Sequence, residues 1–280
     1  MNNYPSKVYL NGNILDAKDA KISVFDRGFL FGDGIYEVMA KINGRFFYEQ
    51  EHLNRLDYCL REINIDFDIS ILSSKISKLL NASNLLEKDC LLYIQISRGT
   101  APRTHAFPKN TQPTLMMYGI PKTLPKINNN HIKAISSNDF RWHRCDLKTI
   151  SILGNVMAND FARNNNAYES IFIRNGLVTE ASHCNVFFVK SGIVYTHPAN
   201  HHILNGVTRI IVFELCRKLG IKLKEEAIHK DDIYIMDEAF LTGTSTQIAS
   251  IKQINNHFYY ENENVGSITE KLQHAYQELK

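Results

Sequence analysis

Apolar and β-branched residues fall in short runs punctuated by Asn-Gly pairs along much of the chain, and at helical spacing along the rest. Asn11-Gly12, Asn43-Gly44 and Asn175-Gly176 each stand between β-prone runs and supply the positive φ angles of a tight hairpin turn. The pattern predicts antiparallel hairpins. Leu53, Leu56, Leu60 and Ile63, then Ile69, Leu72, Ile76 and Leu79, recur at intervals of three and four before the strand-like run at 91–96. Hairpin, helix, helix, strand is an α+β order.

The stretch 120–126 holds two prolines and is followed by Asn128-Asn-Asn130, a composition expected of a linker. The boundary is placed near residue 122, with a small α/β domain over 1–121, a linker over 122–126 and a larger domain over 127–280. Beyond it a short strand is expected to lead to Lys148. Ile152, Leu153, Val156, Met157 and Phe161 then suggest a helix, and strands continue to His197. A helix from about Thr208 to Leu219 ends at Gly220, a residue suited to a left-handed cap, and further strands and a terminal helix follow.

A chain of 280 residues with 44% hydrophobic and 22% charged residues can bury a real core and is not a disordered or coiled-coil composition. Net charge is +3 and scattered, which excludes a mainly electrostatic grip on nucleic acid and favours a small-molecule partner. The opening residues lack a basic region followed by an apolar run, and no stretch approaches a membrane span, so a soluble, cytoplasmic protein is expected. Five widely spaced cysteines without a C-x-x-C pair give neither a disulfide framework nor a zinc knuckle.

Four places could carry chemistry. Lys148 ends a presumed strand just before a helix; buried there it could form an imine, and otherwise it is one surface lysine among many. Gly206 and Thr208 stand at the mouth of a helix, where free N–H groups favour a phosphate, or simply where a helix is capped. The hydroxyl cluster 242–246 could serve the same anion or be an ordinary turn. Arg103 and His105, two apart, could hold a carboxylate between them or lie in a solvated loop. His197, His201 and His202 suggest a metal, but Pro198 and Asn200 make the run a turn with no carboxylate or thiolate at ligand spacing, so no metal is expected.

Together these pieces resemble the fold-type IV pyridoxal-phosphate aminotransferases, most closely their D-amino-acid branch. The resemblance runs through DRGFLFGDGIYE at 26–37, EHLNRL at 51–56, RGTAPRTH at 98–105, RCDLK at 144–148 and TEASHCNVF at 179–187. It continues in THPAN at 196–200, ILNGVTR at 203–209 and MDEAFLTGTS at 236–245. It implies a two-domain α+β fold whose larger domain is a pseudo-barrel carrying the cofactor lysine. By this likeness Lys148 carries pyridoxal 5′-phosphate as a Schiff base and moves the substrate proton, and Glu180 faces the pyridine nitrogen. Arg55, Val207, Thr208 and Thr244 hold the phosphate, and Leu204 packs on the ring face. Tyr36, Arg103 and His105 trap the substrate carboxylate, the latter two reaching in from the neighbouring subunit of a homodimer.

The implied reaction moves the amino group of D-alanine to 2-oxoglutarate, yielding pyruvate and D-glutamate. Rivals on the same scaffold are 4-amino-4-deoxychorismate lyase and branched-chain L-amino-acid aminotransferase, both disfavoured by the stretch 102–105. A catalytically silent phosphate-ligand binder is a third, disfavoured by Lys148 and Glu180. Two departures stand out: His183 where relatives often carry a small hydroxyl residue, and Gly243 in place of a hydroxyl beside Thr244. One or two cofactor hydrogen bonds are expected to be lost or rerouted there, each contributing about 1 kcal/mol.

Overall fold

The computed structural model describes residues 4–262 and 265–280; residues 1–3, on which the reading of the opening stretch partly falls, lie outside the described residues. The fold is α+β, with a curled, half-barrel sheet as its larger part. The chain divides into two units, Met1–Leu124 with Leu147–Ser151, and Pro125–Asp146 with Ile152–Lys280. Among the described residues, no helix is long and apolar enough to cross a membrane.

The first unit contains β1 (Lys7–Leu10), β2 (Asn13–Asp16), α1 (Arg27–Phe31), β3 (Gly34–Ile42), β4 (Arg45–Phe46), α2 (Glu49–Glu62), α3 (Leu72–Ala82), β5 (Cys90–Ser97) and β6 (Thr114–Pro121). Its strands form one antiparallel sheet in the order β2-β1-β6-β5-β3-β4. Asn11-Gly12 and Asn43-Gly44 turn the β1–β2 and β3–β4 hairpins with both φ angles positive, as their sequence predicts. The apolar stripes of α2 and α3, Leu56, Leu60, Leu72, Ile76 and Leu79, pack with Ile35, Met39, Leu92, Ile94 and Ile96 into a closed core. Ile69 lies just outside α3, in a short 3-10 turn that leads into it.

Lys148 was expected at a strand end in the C-terminal domain; its segment instead clusters with the first unit. No regular strand covers 139–152. Leu147 enters the core of the first unit, Ile35 and Thr149 form an antiparallel bridge, and Tyr36 N donates to Lys148 O at 3.0 Å while Ile150 N donates to Gly34 O at 3.0 Å. The cause is the open edge of β3: its unpaired backbone groups at 34–36 need partners, and an extended segment supplies them.

The second unit contains β7 (Asn128–Asn138), α4 (Leu153–Asn164), β8 (Glu169–Arg174), β9 (Leu177–Ala181), β10 (Asn185–Lys190), β11 (Ile193–Thr196), α5 (Val207–Lys218), β12 (Leu223–Glu225), β13 (Glu238–Gly243), β14 (Gln247–Ile254), β15 (His257–Phe258) and α6 (Ser267–Gln277). The sheet order is β12-β11-β10-β13-β14-β7-β8-β9, with β15 on β14 and parallel pairing at β11–β12, β14–β7 and β7–β8. Asn175-Gly176 turns β8 into β9 as predicted. Phe187 and Phe240 stack at 4.9 Å, and Phe213 of α5 meets Phe187 edge-on, which fixes α5 on that face of the sheet. Gly220 takes the left-handed φ of 67° just past α5.

Asn128, just past the expected linker, is the first residue of β7, where its side chain donates to Thr246 O, and Ile120 and Pro121 finish β6. The helix read from Ile152, Leu153, Val156, Met157 and Phe161 forms as α4, but those side chains are exposed, Leu153 by 71% and Met157 by 65%; the buried contacts come from Ala158 and Ala162. Small alanines let α4 sit close to its sheet while the bulky residues face away from it.

Candidate active site

In the first unit the Lys148 N–H donates to Cys59 Sγ of α2 at 3.4 Å, and its Nζ lies 4.1 Å from the centre of the Tyr36 ring. The amine thus rests on an aromatic face, and Lys148 makes no ion pair among the described residues. One residue further along β3, Glu37 points the other way, into the seam with α2. Arg55 forks it, Nε to Oε2 at 2.9 Å and Nη2 to Oε1 at 2.7 Å, and His52 Nδ1 lies 2.9 Å from Oε1. Burial alone would raise the Glu37 carboxyl; the Arg55 guanidinium and His52 override it and hold it far below the usual carboxylate range. Arg55, assigned to a phosphate by resemblance, is therefore oriented by a carboxylate that the sequence pattern does not single out.

Arg103 and His105 are exposed on the long loop between β5 and β6. Both meet the ring of Phe31: the Arg103 guanidinium carbon is 5.2 Å from its centre and the His105 ring 6.1 Å.

In the second unit Glu180, on β9, is 5% exposed. Its Oε1 accepts from Arg141 Nη1 at 2.6 Å, and its Oε2 accepts from Leu204 N at 3.0 Å and Asn185 Nδ2 at 3.2 Å. Arg141 is itself forked by Asp139, which also meets Arg174. Burial pushes the Glu180 carboxyl up to about 7, against the lowering effect of Arg141 and the Leu204 N–H. Sequence reasoning gave no role to Arg141, Asp139 or Asn185; the signals available were the spacing of two between Asp139 and Arg141 and the place of Asn185 inside the matching run 179–187.

Helix α5 opens on Gly206 with no side-chain cap, so the N–H groups of Val207 and Thr208 have neither an intrahelical acceptor nor a capping side chain. Gly206 is required there, because a Cβ would fall 2.2 Å from Asn185 Oδ1. Leu204 is partly buried just before the helix, and Thr244 partly buried just after β13. Two residues from Thr244, Thr242 Oγ1 is buried without a partner among the described residues. An uncapped helix mouth with nearby hydroxyls and a buried carboxylate fit a ligand with a phosphate at one end and a protonatable ring nitrogen at the other.

His183 is tied to Glu169, Nδ1 to Oε2 at 2.6 Å, and Gly243 leaves a space a Cβ would share with Cys184 Sγ at 3.3 Å. The histidines His197, His201 and His202 do not converge. His197 Nδ1 meets Pro198 O, His201 Nδ1 meets Asp146, and the His202 ring lies 5.9 Å from that of His197. Among the described residues the one set of three that brings ligand-type atoms within 4.8 Å of one another is Glu169, His183 and Cys184.

The family model described as Amino-transferase class IV matches residues 34–254. The chain belongs to the class IV aminotransferases. It is an aminotransferase of the pyridoxal 5′-phosphate-dependent kind. A D-alanine aminotransferase of Bacillus licheniformis is 38% identical over 252 residues, covering 89% of this chain and 88% of the relative. One from Staphylococcus epidermidis is 36% identical over 276 residues, 97% of each. The branched-chain amino acid aminotransferase from Escherichia coli shares the fold with a TM-score of 0.86 at 22% identity, covering 97% of this chain and 93% of that one. This class IV aminotransferase keeps the fold-type IV architecture that its motifs suggest.

Proposed function

We propose that this enzyme transaminates D-amino acids, taking the amino group of D-alanine to 2-oxoglutarate. The observation that carries the reading is the identity of 36% to a D-alanine aminotransferase over 97% of both chains, reinforced by the presence of Tyr36, Arg103 and His105. The branched-chain reading rests on structural neighbours at 21–26% identity, below the 36–38% of the D-alanine aminotransferases.

Pyridoxal 5′-phosphate supplies an electron sink for the bond that breaks at the substrate α-carbon. Lys148 would hold it covalently through its amine and, once the substrate's amino group has taken that place, the freed amine would take and return the α-proton. Glu180 would keep a negative charge beside the ring nitrogen, with Arg141, Asn185 and the Leu204 N–H fixing its carboxylate. Val207, Thr208 and Thr244 would donate to the phosphate with Arg55, whose guanidinium Glu37 orients. Leu204 would pack on the ring, and Tyr36, Arg103 and His105 would hold the substrate carboxylate.

The trap reading supports a homodimer in which Arg103 and His105 serve the neighbouring subunit. Their exposure fits this, as do the exposed apolar side chains Leu153, Val156, Met157 and Phe161 along α4. All five cysteines are buried and free, in keeping with a reducing, cytoplasmic setting.

An Arg103→Ala enzyme is expected to raise KM for D-alanine at least about tenfold, the weight of one hydrogen-bonded charge, while keeping the cofactor's absorbance. Steady-state kinetics beside a spectrum check both, and an unchanged KM would remove Arg103 from the trap.

A further inference from the structure

The loop that carries Arg103 and His105 runs from the end of β5 to the start of β6 and has no regular structure of its own. Such a loop would sample many shapes unless something holds it, and two exposed side chains on it would then meet a carboxylate only in a fraction of them. Its first residues are pinned through the backbone, by Arg98 N to Asp33 O at 3.0 Å, Arg27 N to Gly99 O at 2.9 Å, Ala101 N to Phe25 O at 3.3 Å and the Asp26–Thr100 bridge, and the side chains of Arg98, Arg27 and Phe31 hold the part beyond them. Arg98, at its start, lays its guanidinium 3.6 Å from the centre of the Phe107 ring and so closes the loop on itself. Arg27 Nη1, from α1, donates to Thr104 O at 2.7 Å. Phe31, one turn along α1, meets both Arg103 and His105 with its ring.

The Arg27 contact differs in kind from the others. Thr104 O belongs to the peptide between Thr104 and His105, so fixing that carbonyl sets the backbone orientation from which His105 and, just before it, Arg103 project. Arg27 can do this because it is fully committed elsewhere. Its side chain is 3% exposed, its Nε donates to Asp33 Oδ2 at 2.7 Å, and its guanidinium lies 4.6 Å from the centre of the Phe31 ring. Asp33 is held in turn by Arg98, Nε to Oδ2 at 2.8 Å and Nη2 to Oδ1 at 2.9 Å, and Arg98 also donates to Ile63 O and Asn64 O. The helix end itself is pinned by Asp26, which accepts from Gly28 N, Ser97 Oγ and Thr114 Oγ1. Two arginines share one carboxylate, so the cluster keeps a surplus positive charge that a backbone carbonyl satisfies without neutralising.

We propose that Arg27 is a positioning residue of the substrate-carboxylate trap, aiming Arg103 and His105 through Thr104 O while Phe31 spaces the two side chains. This rests on the reading of Arg103 and His105 as that trap. Arg27 touches no substrate; it acts by lowering the entropy of the loop before substrate arrives.

The test is steady-state kinetics of the holoenzyme with D-alanine, for Arg27→Lys, Phe31→Leu and Arg103→Ala beside the wild type, with melting temperature and cofactor absorbance recorded for each. Lysine keeps the charge beside Asp33 but cannot span both Asp33 and Thr104 O. Arg27→Lys is expected to raise KM about tenfold with kcat changed less than about threefold, the effect of one lost charge-assisted hydrogen bond, and with absorbance unaltered. Phe31→Leu is expected to raise KM in the same direction. If Arg103→Ala raises KM while both Arg27→Lys and Phe31→Leu leave it at the wild-type value, the positioning role is wrong and the trap stands. If Arg103→Ala leaves KM unchanged, the trap itself is wrong. A fall in kcat and melting temperature together, with KM steady, would make Arg27 a structural residue only; should Arg27→Lys not fold, Phe31→Leu decides the question alone.

Discussion

Replacing Lys148 by alanine is expected to lower transamination at least about a thousand-fold, because in the proposed role one amine serves as both the covalent anchor and the base, and a positioned base alone contributes roughly a hundred- to ten-thousand-fold. The loss should be chemical and not structural. The backbone contacts of residue 148, to Tyr36 N and Cys59 Sγ, involve no side-chain atom of the lysine, and Leu147 and Thr149 hold the segment on either side. The variant should therefore melt close to the wild type. Borohydride treatment of the holoenzyme should leave the cofactor bound to the peptide containing Lys148, and the variant should retain none covalently. A variant within about tenfold of wild-type rate, or one that still fixes cofactor on the same peptide, would contradict the assignment.

The second large effect is expected at Glu180. A carboxylate held opposite a protonated ring nitrogen stabilises developing charge, and removing such a group from a closed site costs roughly a hundred- to a thousand-fold in rate; Glu180→Gln should fall in that range. Its titration offers an independent reading. In the protein without cofactor the folded-state value is about 7, above the ordinary 4.5. The folded chain thus keeps a proton that the unfolded chain has already lost between those values. Stability contributed at this residue is full below about pH 4.5 and falls as pH rises toward 7, by about 3 kcal/mol in total. Glutamine has no such titration, so the apoprotein variant should lack that slope. Cofactor uptake by the wild type near pH 6 should release a proton, since a positive charge beside Glu180 favours its anion. Denaturation of both apoproteins across pH 4–8 checks this; identical slopes would place the titration elsewhere.

Local chemistry makes some features legible in the sequence alone. The Asn-Gly pairs at 11–12, 43–44 and 175–176 turn hairpins because a two-residue turn needs positive φ and those residues tolerate it. The stripe from Leu56 through Leu60 marks α2, and Gly220 the end of α5, for equally local reasons. Lys148, Glu180 and the helix mouth at Gly206 to Thr208 are visible as residues, but their surroundings are not. The edge of β3 that takes up 147–151, and the Arg141 and Leu204 N–H that meet Glu180, come from distant parts of the chain. Periodicity finds α4 but not its orientation, because a helix with apolar bulk on one side and Ala158 and Ala162 on the other can bury either. The run 26–37 stands out as a matching segment, yet the pairing of Arg27 and Asp33 with Arg98 depends on the fold that joins them.

The most direct measurement is the half-reaction without an oxo acid: holoenzyme mixed separately with D-alanine and L-alanine, followed by the absorbance of the lysine-bound cofactor. D-alanine is expected to bleach it and L-alanine to leave it standing. Bleaching by L-alanine alone, or by neither isomer, would contradict a D-amino-acid transaminase.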